Sequence, residues 1–325
     1  MAKLEYKPYQ RTFSQPLQTA HGIWSMREGI ILRLERDDGS IGYGEVAPVP
    51  WFGTETLEQA LIFLKELRAD PTLPVPKGLP CTEFAWFCAQ GYLDGIRPTT
   101  VHVAGLLPAC EAALEKAESL LSEGYTTLKW KIGVGPVDAE QRIAVQLSRL
   151  LHERGVLRLD ANGALDQDEA NSWMHCLRDY PVDYIEQPMP VGQEAEMRQL
   201  AKNHGIMVAF DESVVDIASL NAYSASDQHG TFIVKPALIG SFIDFQVWWL
   251  DYDNVRAVYS SVFETAIGFE MALRMVQFCR REHEVHGFGT LGAFPEDGLG
   301  YHQPGATLTS GSFTPEHAEA LWKRL

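Results

Sequence analysis

Three acidic residues, Asp160, Glu186 and Asp211, recur 26 and 25 residues apart, and each one closes a short apolar run. Short apolar runs separated by polar segments of helical length are typical of buried parallel strands in repeated strand–helix units. In a barrel of such units the carboxyl ends of successive strands meet at one pocket. Three carboxylates gathered there would repel one another and lose their hydration, so the pattern predicts a cation among them. A hard divalent metal ion is the simplest candidate.

The alternation of strand-like and helix-like segments extends well beyond these three units. It predicts an α/β fold, a TIM-type (β/α) barrel, with intervening helices such as 110–123 and 139–153. The expected strands are 101–104, 126–132, 157–160, 183–186, 208–211, 231–235, 257–263 and a last segment near 286–291.

The first hundred residues have a different pattern, which predicts an α+β capping module. Its expected elements are strands at 29–35 and 41–45 around a tight turn, a helix at 56–68 and a second helix capped by Thr82. We place the capping domain at 1–98 and the barrel domain at 99–300. The segment 301–325, with a short helix from Pro315, is expected to return and complete the capping domain.

Composition restricts the class of partner more than it restricts the fold. The chain of 325 residues has room for a barrel of about 250 residues and one appended module. Its net charge of −16 disfavours a nucleic-acid partner, and no apolar run approaches membrane-spanning length. The odd number of cysteines, five, argues against a disulfide framework. We therefore expect a cytoplasmic protein that acts on a small molecule, without a nucleic-acid or membrane partner. The oligomeric state is left open.

Lysines flank the predicted acid pocket. Lys129 and Lys131 alternate with apolar residues, so both side chains point to the same face of their strand, into the barrel. Lys235 ends another strand 24 residues after Asp211, and Pro236 stops the run. The second and sixth strands of a barrel lie on opposite sides, with the acid-bearing strands between them. The predicted pocket therefore has a metal ion on one wall and a lysine on each flank.

This arrangement suits the removal of a proton next to a carboxylate. The product is a dianionic enediolate, which a divalent ion stabilises, and a lysine whose pKa is lowered by burial and positive neighbours can act as the base. Oxygen ligands favour Mg²⁺ or Mn²⁺ over Zn²⁺. Taken singly, a strand-end acid is more often a loop cap, and Lys129 with Lys131 can line an edge strand. Their coincidence in consecutive repeats favours the catalytic interpretation.

Four short motifs resemble the muconate-lactonizing subgroup of the enolase superfamily. They are Lys-x-Lys at 129–131, Asp-Ala-Asn at 160–162, Ile-Glu-Gln-Pro at 185–188 and Asp-Glu-Ser at 211–213. The resemblance covers nearly the whole chain and implies a modified, enolase-like barrel.

The same resemblance implies a role for each residue of the pocket. The implied metal ligands are Asp160, Glu186 and Asp211. Lys131 and Lys235 would face opposite sides of the substrate as catalytic groups, with Lys129 tuning Lys131. Asn162 and Glu212 would support the ligands from outside.

Three further segments narrow the resemblance to one family. Dipeptide epimerases carry an acid pair on the last barrel strand, whereas residues 287–291 here read Gly-Phe-Gly-Thr-Leu. Mandelate-type members place a histidine on the seventh strand, and residues 259–264 contain none. These two segments and the cap segment 44–53 resemble the o-succinylbenzoate synthase family, which acts in menaquinone and phylloquinone biosynthesis.

The implied activity is that of a carbon–oxygen lyase. It would dehydrate 2-succinyl-6-hydroxy-2,4-cyclohexadiene-1-carboxylate to 2-succinylbenzoate by syn elimination. Lys131 would take the proton α to the ring carboxylate and pass it to the departing hydroxyl, and Lys235 would contribute positive charge. The alternatives are an N-acylamino acid racemase or dipeptide epimerase of the same superfamily, and a barrel that binds without catalysis.

Substrate contacts are less legible from the sequence. Cap loops at 15–26 and 48–54 are expected to close over the barrel mouth. The residues in these loops that are candidates to contact a ring and a succinyl chain are Leu17, Ile23, Trp24, Trp51 and Phe52. Packing within the cap would explain these apolar residues equally well. The candidates for holding the succinyl carboxylate are Ser260 and Ser261, with backbone amides near Gly289 and Thr290. His21 and Arg27 are further candidates.

Overall fold

The capping region opens with a three-stranded antiparallel meander. The computed structural model describes residues 2–19, 22–278, 281–301 and 305–325. Its first strands are β1 (Lys3–Thr19), β2 (Gly22–Glu35) and β3 (Ile41–Val46), in the order β1-β2-β3. The expected loop at 15–26 is wrong, because β1 continues to Thr19 and β2 begins at Gly22. The sequence does not reveal this extension of the two strands, because the side chains from Ser14 to Pro16 are exposed and give no apolar alternation.

Two helices cover the meander. Helix α1 (Leu57–Ala69) begins at the expected place, where Thr56 and Gln59 form a reciprocal capping box. Helix α2 (Pro80–Gln90) has Leu79 at its N-cap, three residues before the expected Thr82. Thr82 does not cap it but is buried in its first turn, and the carboxylate of Glu55 accepts the free backbone N–H groups there. A cap supplied from a distant segment leaves no local sequence signal.

The rest of the chain alternates strands and helices. The elements are β4 (Thr100–Val103), β5 (Gly105–Leu107), α3 (Ala112–Ser122), β6 (Thr127–Lys131), α4 (Val137–Leu151), β7 (Val156–Asp160), α5 (Gln167–Leu177), β8 (Val182–Glu186), α6 (Glu194–His204), β9 (Val208–Phe210), α7 (Ile217–Ser226), β10 (Thr231–Val234), α8 (Phe242–Asp251), β11 (Arg256–Tyr259), α9 (Ala266–Arg274), β12 (Val285–His286), β13 (Thr307–Thr309) and α10 (Pro315–Arg324). Short 3₁₀ turns lie at Pro50–Phe52, Pro236–Leu238, Met275–Phe278 and Leu291–Ala293.

These strands form the expected modified (β/α) barrel. Strands β5 to β11 make one parallel sheet in the order β11-β10-β9-β8-β7-β6-β5. The ring closes through β12, which pairs with β4 and connects to the end of β11 by a parallel bridge between Ser260 and Gly287. The α/β barrel with an α+β cap is therefore confirmed.

Three strand boundaries differ from the expectation. The expected first barrel strand, 101–104, lies with β12 and β13 in a separate sheet, and β5 enters the barrel sheet in its place. The strand expected at 257–263 ends at Tyr259, and the last strand spans only Val285–His286. The backbone turns after each of these two strands, so the apolar residues that follow do not pair with a neighbouring strand as their composition suggests.

The carboxyl-terminal segment returns to the cap. Lys7 donates a hydrogen bond from Nζ to the carbonyl of Trp322 at 2.9 Å. The carboxylate of Glu319, on α10, accepts hydrogen bonds from Tyr43 and, at 3.1 Å, from Nε of Arg33. Helix α10 thus packs on the meander, as expected. The domain boundaries at 98 and 301 stay a prediction.

The interior of the barrel places its reactive side chains at one end. Tyr184, Ala209, Ile233 and Val258 form a buried layer inside the ring. The inward residues that follow along these strands stand above that layer, at the carboxyl ends. Across the part of the chain that the structure describes, none of the helices has the length and apolar character needed to cross a bilayer.

Candidate active site

The three acids stand side by side at the carboxyl ends of adjacent strands. Asp160 and Glu186 are the last residues of β7 and β8, and they are direct partners in the strand register. Asp211 follows β9 immediately, and Lys131 lies opposite Asp160 on β6. Neighbouring strands lie about 4.8 Å apart, so these groups share one pocket. The structure brings the predicted acids and lysines together.

Lys129 joins two of the acids. Its Nζ lies 2.8 Å from Oδ2 of Asp160 and 2.7 Å from Oε1 of Glu186. Burial would lower the pKa of Lys129, but the charges of Asp160 and Glu186 outweigh burial and raise that pKa above its ordinary value. Lys129 is therefore an ammonium group that bridges β7 and β8.

The pKa of Lys235 is shifted in the opposite direction to that of Lys129. Its Nζ donates a hydrogen bond to Oδ1 of Asp211 and lies 4.6 Å from the ring centroid of Phe52. Burial lowers its pKa to about 7, and the positive charge of Lys129 acts in the same direction. A lysine with this pKa exists in both protonation states near neutral pH, which is what a general base or acid requires.

Asn162 and Glu212 lie beside the acids, and their role in supporting metal ligands stays a prediction. The backbone N–H of Asn162 donates to Oδ1 of Asp160 at 3.0 Å, and its side-chain Nδ2 donates to Oε1 of Glu212 at 3.1 Å. Burial, followed by the charges of Asp160 and Glu186, raises the pKa of Glu212 to about 7. No donor among the described residues reaches the buried Oε2 of Glu212.

These observations test whether the pocket suits a divalent ion. A buried carboxylate oxygen without a donor, next to further carboxylates, marks an excess of negative charge that a dication would neutralise. The atoms available to bind a metal ion here are all carboxylate oxygens, which suit Mg²⁺ or Mn²⁺. Within the described residues no three acidic, histidine or cysteine side chains form a ready-made cage, since Lys129 and Lys235 contact the acids instead. The residue types and their excess charge nevertheless fit the ion.

Gln187 has a structural role that the sequence analysis did not assign. Its side chain is fully buried, and its Oε1 accepts hydrogen bonds from the backbone N–H groups of Asp211 and Ser213 at 3.1 and 3.3 Å. Its Nε2 donates to Oγ of Ser213 at 2.9 Å. Gln187 therefore links the end of β8 to the segment that carries Asp211. The sequence signal for this role was the position of Gln187 directly after a strand-end acid, within the Ile-Glu-Gln-Pro motif.

The predicted substrate contacts fall into two groups. Ser260 donates from Oγ to the carbonyl of Gly287 at 3.1 Å, and Ser261 and Thr290 share a hydrogen bond of 2.5 Å between their hydroxyl groups. These hydroxyl groups connect the end of β11 to the segment after β12 by hydrogen bonds. Gly289 lies against the backbone there, because a Cβ would come within 2.6 Å of the carbonyl oxygen of Ala104.

The aromatic candidates lie at the junction of cap and barrel. Phe52 reaches Lys235, whereas Trp51 packs edge-on against Trp24 with ring centroids 4.8 Å apart. Arg27 is buried beneath this junction and donates from Nη1 to the carbonyl of Pro48 at 2.7 Å. His21 lies outside the described residues. Substrate binding by any of these residues stays a prediction.

The comparisons with known proteins agree with this geometry. A family model for the MenC amino-terminal domain matches residues 8–91, and one for the enolase carboxyl-terminal domain matches residues 112–246. The o-succinylbenzoate synthase of Thermosynechococcus vestitus is 33% identical over 88% of this chain and 91% of that protein. The o-succinylbenzoate synthase of Pasteurella multocida is 28% identical over 77% of this chain and 78% of that protein.

Solved structures support the same assignment. The o-succinylbenzoate synthase of Thermosynechococcus elongatus BP-1, complexed with Mg in the active site, superimposes with a TM-score of 0.84 and 31% identity, covering 99% of this chain and all of that one. The L-Ala-D/L-Glu epimerase of Bacillus subtilis shares the fold, with a TM-score of 0.77 at 18% identity and 95% coverage of both chains. The fold and the pocket define an enzyme of the enolase superfamily. Within that superfamily, the chain belongs to the o-succinylbenzoate synthase family.

Proposed function

We propose that this chain is a Mg²⁺-dependent carbon–oxygen lyase that converts 2-succinyl-6-hydroxy-2,4-cyclohexadiene-1-carboxylate into 2-succinylbenzoate and water. The observation that carries the proposal is the placement of Lys131 and Lys235 on opposite flanks of the strand-end acids. Family membership supplies the substrate and the role in menaquinone or phylloquinone biosynthesis. Mn²⁺ is the alternative ion.

In the proposed reaction Lys131 is the base. It takes the proton α to the ring carboxylate, and the electron pair of that C–H bond moves into the carboxylate to give an enediolate. The enediolate then collapses, so that its electron pair forms the new carbon–carbon double bond of the ring as the C–O bond breaks and the hydroxyl leaves. Lys131 then returns the proton to the departing hydroxyl on the same face, so that water leaves and the ring becomes aromatic. A divalent ion held by Asp160, Glu186 and Asp211 would stabilise the negative charge of the enediolate.

The remaining residues of the pocket are assigned supporting roles. Lys235 places a positive charge on the opposite face, and Lys129 holds the carboxylates of Asp160 and Glu186 in position. Phe52 lies over Lys235 and excludes water from that side. Asn162 and Glu212 fix the orientation of the ligands, and Ser260 and Ser261 hold the succinyl carboxylate.

A second activity has one observation in its favour. Lys131 and Lys235 lie on opposite flanks of the strand-end acids, which places a proton-exchanging group on each face of the pocket. Two lysines that both exchange protons on opposite faces would support an N-acylamino acid racemase. The segment 287–291 lacks the acid pair of a dipeptide epimerase. We further infer that the enzyme works in the cytoplasm on a small carboxylate, without a nucleic-acid partner.

The test compares dehydration by the wild type, Lys131→Ala and Lys235→Ala, with and without EDTA. We expect both variants and the chelated enzyme to lose at least about a thousandfold in kcat. The matched control is Lys116→Ala, which removes an exposed lysine from α3 and should retain full activity. N-succinyl amino acids are assayed in parallel. Racemisation without dehydration would replace the proposed function with the second one, and retained dehydration in Lys131→Ala would remove the assigned base.

A further inference from the structure

A carboxylate of the cap enters the barrel at the start of helix α9. Glu45 lies on β3, and only 2% of its surface is exposed. Its Oε1 accepts from the hydroxyl of Tyr9 at 2.5 Å and from the backbone N–H of Thr265 at 3.0 Å. Its Oε2 accepts from the hydroxyl of Thr265 and from the backbone N–H of Gly268 at 3.0 Å. Both carboxylate oxygens are thus fully engaged.

These contacts make Glu45 an additional cap for a helix that lies 220 residues away along the chain. The first N–H groups of a helix have no partner within the helix, and a negative charge stabilises that end. Thr265 already caps α9, because its hydroxyl accepts from the N–H of Ile267. Gly268 leaves room for the second cap, since a Cβ there would come within 2.8 Å of Oε2 of Glu45. The site is built to receive this carboxylate.

The helix start that Glu45 holds is continuous with the end of a barrel strand. Residues 260–265 connect β11 to α9 and carry Ser260 and Ser261. Phe263 within this segment has a φ of 65°, a left-handed conformation that a non-glycine residue keeps only where its surroundings enforce it. Its ring packs edge-on against the cap residues Phe13 and Trp24, with centroids 5.2 and 5.5 Å apart.

A second cap residue holds the same segment. Arg11 donates from Nη1 to the backbone carbonyl of Glu264 at 3.3 Å and from Nε to Oδ2 of Asp297 at 2.7 Å. The segment 260–265 is therefore anchored from the cap at both of its last two residues, Glu264 and Thr265. The strained backbone at Phe263 lies just before these anchors.

We propose that Glu45 is a positioning residue for the reaction: from the cap, it fixes the segment 260–265 and so holds the end of β11, where Ser260 and Ser261 lie, in place beside the succinyl chain of the substrate. This inference rests on the proposed function, because it concerns how the substrate chain is held. It does not involve the metal site, which lies on other strands.

The test is Glu45→Gln, which keeps the shape of the side chain but turns one acceptor into an N–H₂ donor facing backbone N–H groups. We expect KM for the dehydration substrate to rise about tenfold or more while kcat falls by no more than about threefold, since binding of the chain is lost rather than the chemistry. Amide hydrogen exchange at Thr265 and Gly268 should accelerate, with exchange in β7 to β9 and the Mg²⁺ dissociation constant unchanged. The matched control, Glu28→Gln, alters an exposed carboxylate of the same meander and should behave like the wild type.

Several results would overturn the inference. One is a folded Glu45→Gln enzyme whose KM stays within about twofold of the wild-type value. Another is a general loss of exchange protection with kcat and KM both changed, because that would mark a merely structural role. If Glu45→Gln does not fold, Tyr9→Phe carries the test with the same thresholds, since it removes the hydroxyl bond to Oε1 of Glu45 and keeps the aromatic ring. If the wild type itself does not dehydrate the substrate, the proposed function fails, and exchange at Thr265 and Gly268 still decides whether Glu45 holds the segment.

Discussion

Asn162 donates a hydrogen bond from Nδ2 to Oε1 of Glu212 at 3.1 Å. The second oxygen, Oε2, has no donor among the described residues. Neither residue is expected to be a metal ligand, but the carboxylate of Glu212 interacts with the charges of Asp160 and Glu186. This additional acidic group favours a cation in the pocket.

The first prediction concerns this pair. Glu212→Gln removes one negative charge beside Asp160 and Glu186 and should weaken Mg²⁺ binding about tenfold to a hundredfold. The measurement is a Mg²⁺ titration followed by calorimetry or intrinsic tryptophan fluorescence. Glu196→Gln, on the exposed face of α6, is the matched control. Unchanged Mg²⁺ affinity in Glu212→Gln would show that the ion does not sense this carboxylate.

The second prediction concerns the ammonium bridge made by Lys129. Lys129→Met leaves Asp160 and Glu186 adjacent and unneutralised, so the metal-free protein should lose about 3 kcal/mol of unfolding free energy. Saturating Mg²⁺ should raise the Tm of this variant more than that of the wild type, because the ion replaces the missing positive charge. Thermal denaturation with EDTA or with Mg²⁺ measures both effects, and Lys116→Met controls for loss of a lysine. An equal Mg²⁺-induced rise in both proteins would contradict the bridge.

The third prediction is a pH dependence of stability that originates at the junction of cap and barrel. Burial, followed by the charge of Glu45, raises the pKa of Glu264 to about 7 in the folded protein, against an ordinary value near 4.5. Between these two values the folded state binds more protons than the unfolded state, so Glu264 makes stability fall as pH rises. The full effect is about 3 kcal/mol. It is absent below about pH 4.5 and complete above about pH 7.

Urea denaturation of the wild type and of Glu264→Gln at several pH values tests this prediction. The difference in unfolding free energy between the two proteins should shift in favour of the variant as pH rises from about 5 to about 8. Glu28→Gln, which alters an exposed carboxylate of the meander, is the matched control. A difference that is constant across this range would mean that Glu264 titrates normally.

The fourth prediction concerns the amide that connects two of the acid-bearing strands. Gln187→Leu removes the acceptor for the backbone N–H groups of Asp211 and Ser213 and leaves both buried. We expect a loss of about 2 kcal/mol in unfolding free energy and about tenfold weaker Mg²⁺ binding. Gln141→Leu is the control, since Gln141 makes an exposed hydrogen bond to Ser172. Stability and Mg²⁺ affinity that both match the wild type would contradict the role of Gln187.

The sequence was sufficient for the features that repeat with the strands. Three of the pocket residues are recognisable because each ends an apolar run: Asp160, Glu186 and Lys235. In a parallel barrel the carboxyl ends of all the strands lie at the same end of the barrel. The same periodicity predicted the barrel and the helix after Thr56. These features depend on residues that are close together in the sequence.

The features that the sequence concealed depend on contacts between distant segments. Glu45 meets Thr265 across 220 residues, and Glu55 caps α2 in place of the expected Thr82. The hairpin arm of β1 and β2 was missed since its exposed side chains carry no apolar alternation. Neither periodicity nor residue type marks which distant N–H group a buried carboxylate will meet.

The parallel bridge between Ser260 and Gly287 is the shortest strand pairing in the described ring. Strands β10 and β11 share four register pairs, whereas β11 meets the following strand at that one bridge, supplemented by the hydroxyl groups of Ser260 and Ser261. Closure of the barrel therefore relies at this point on side chains as well as on the backbone ladder.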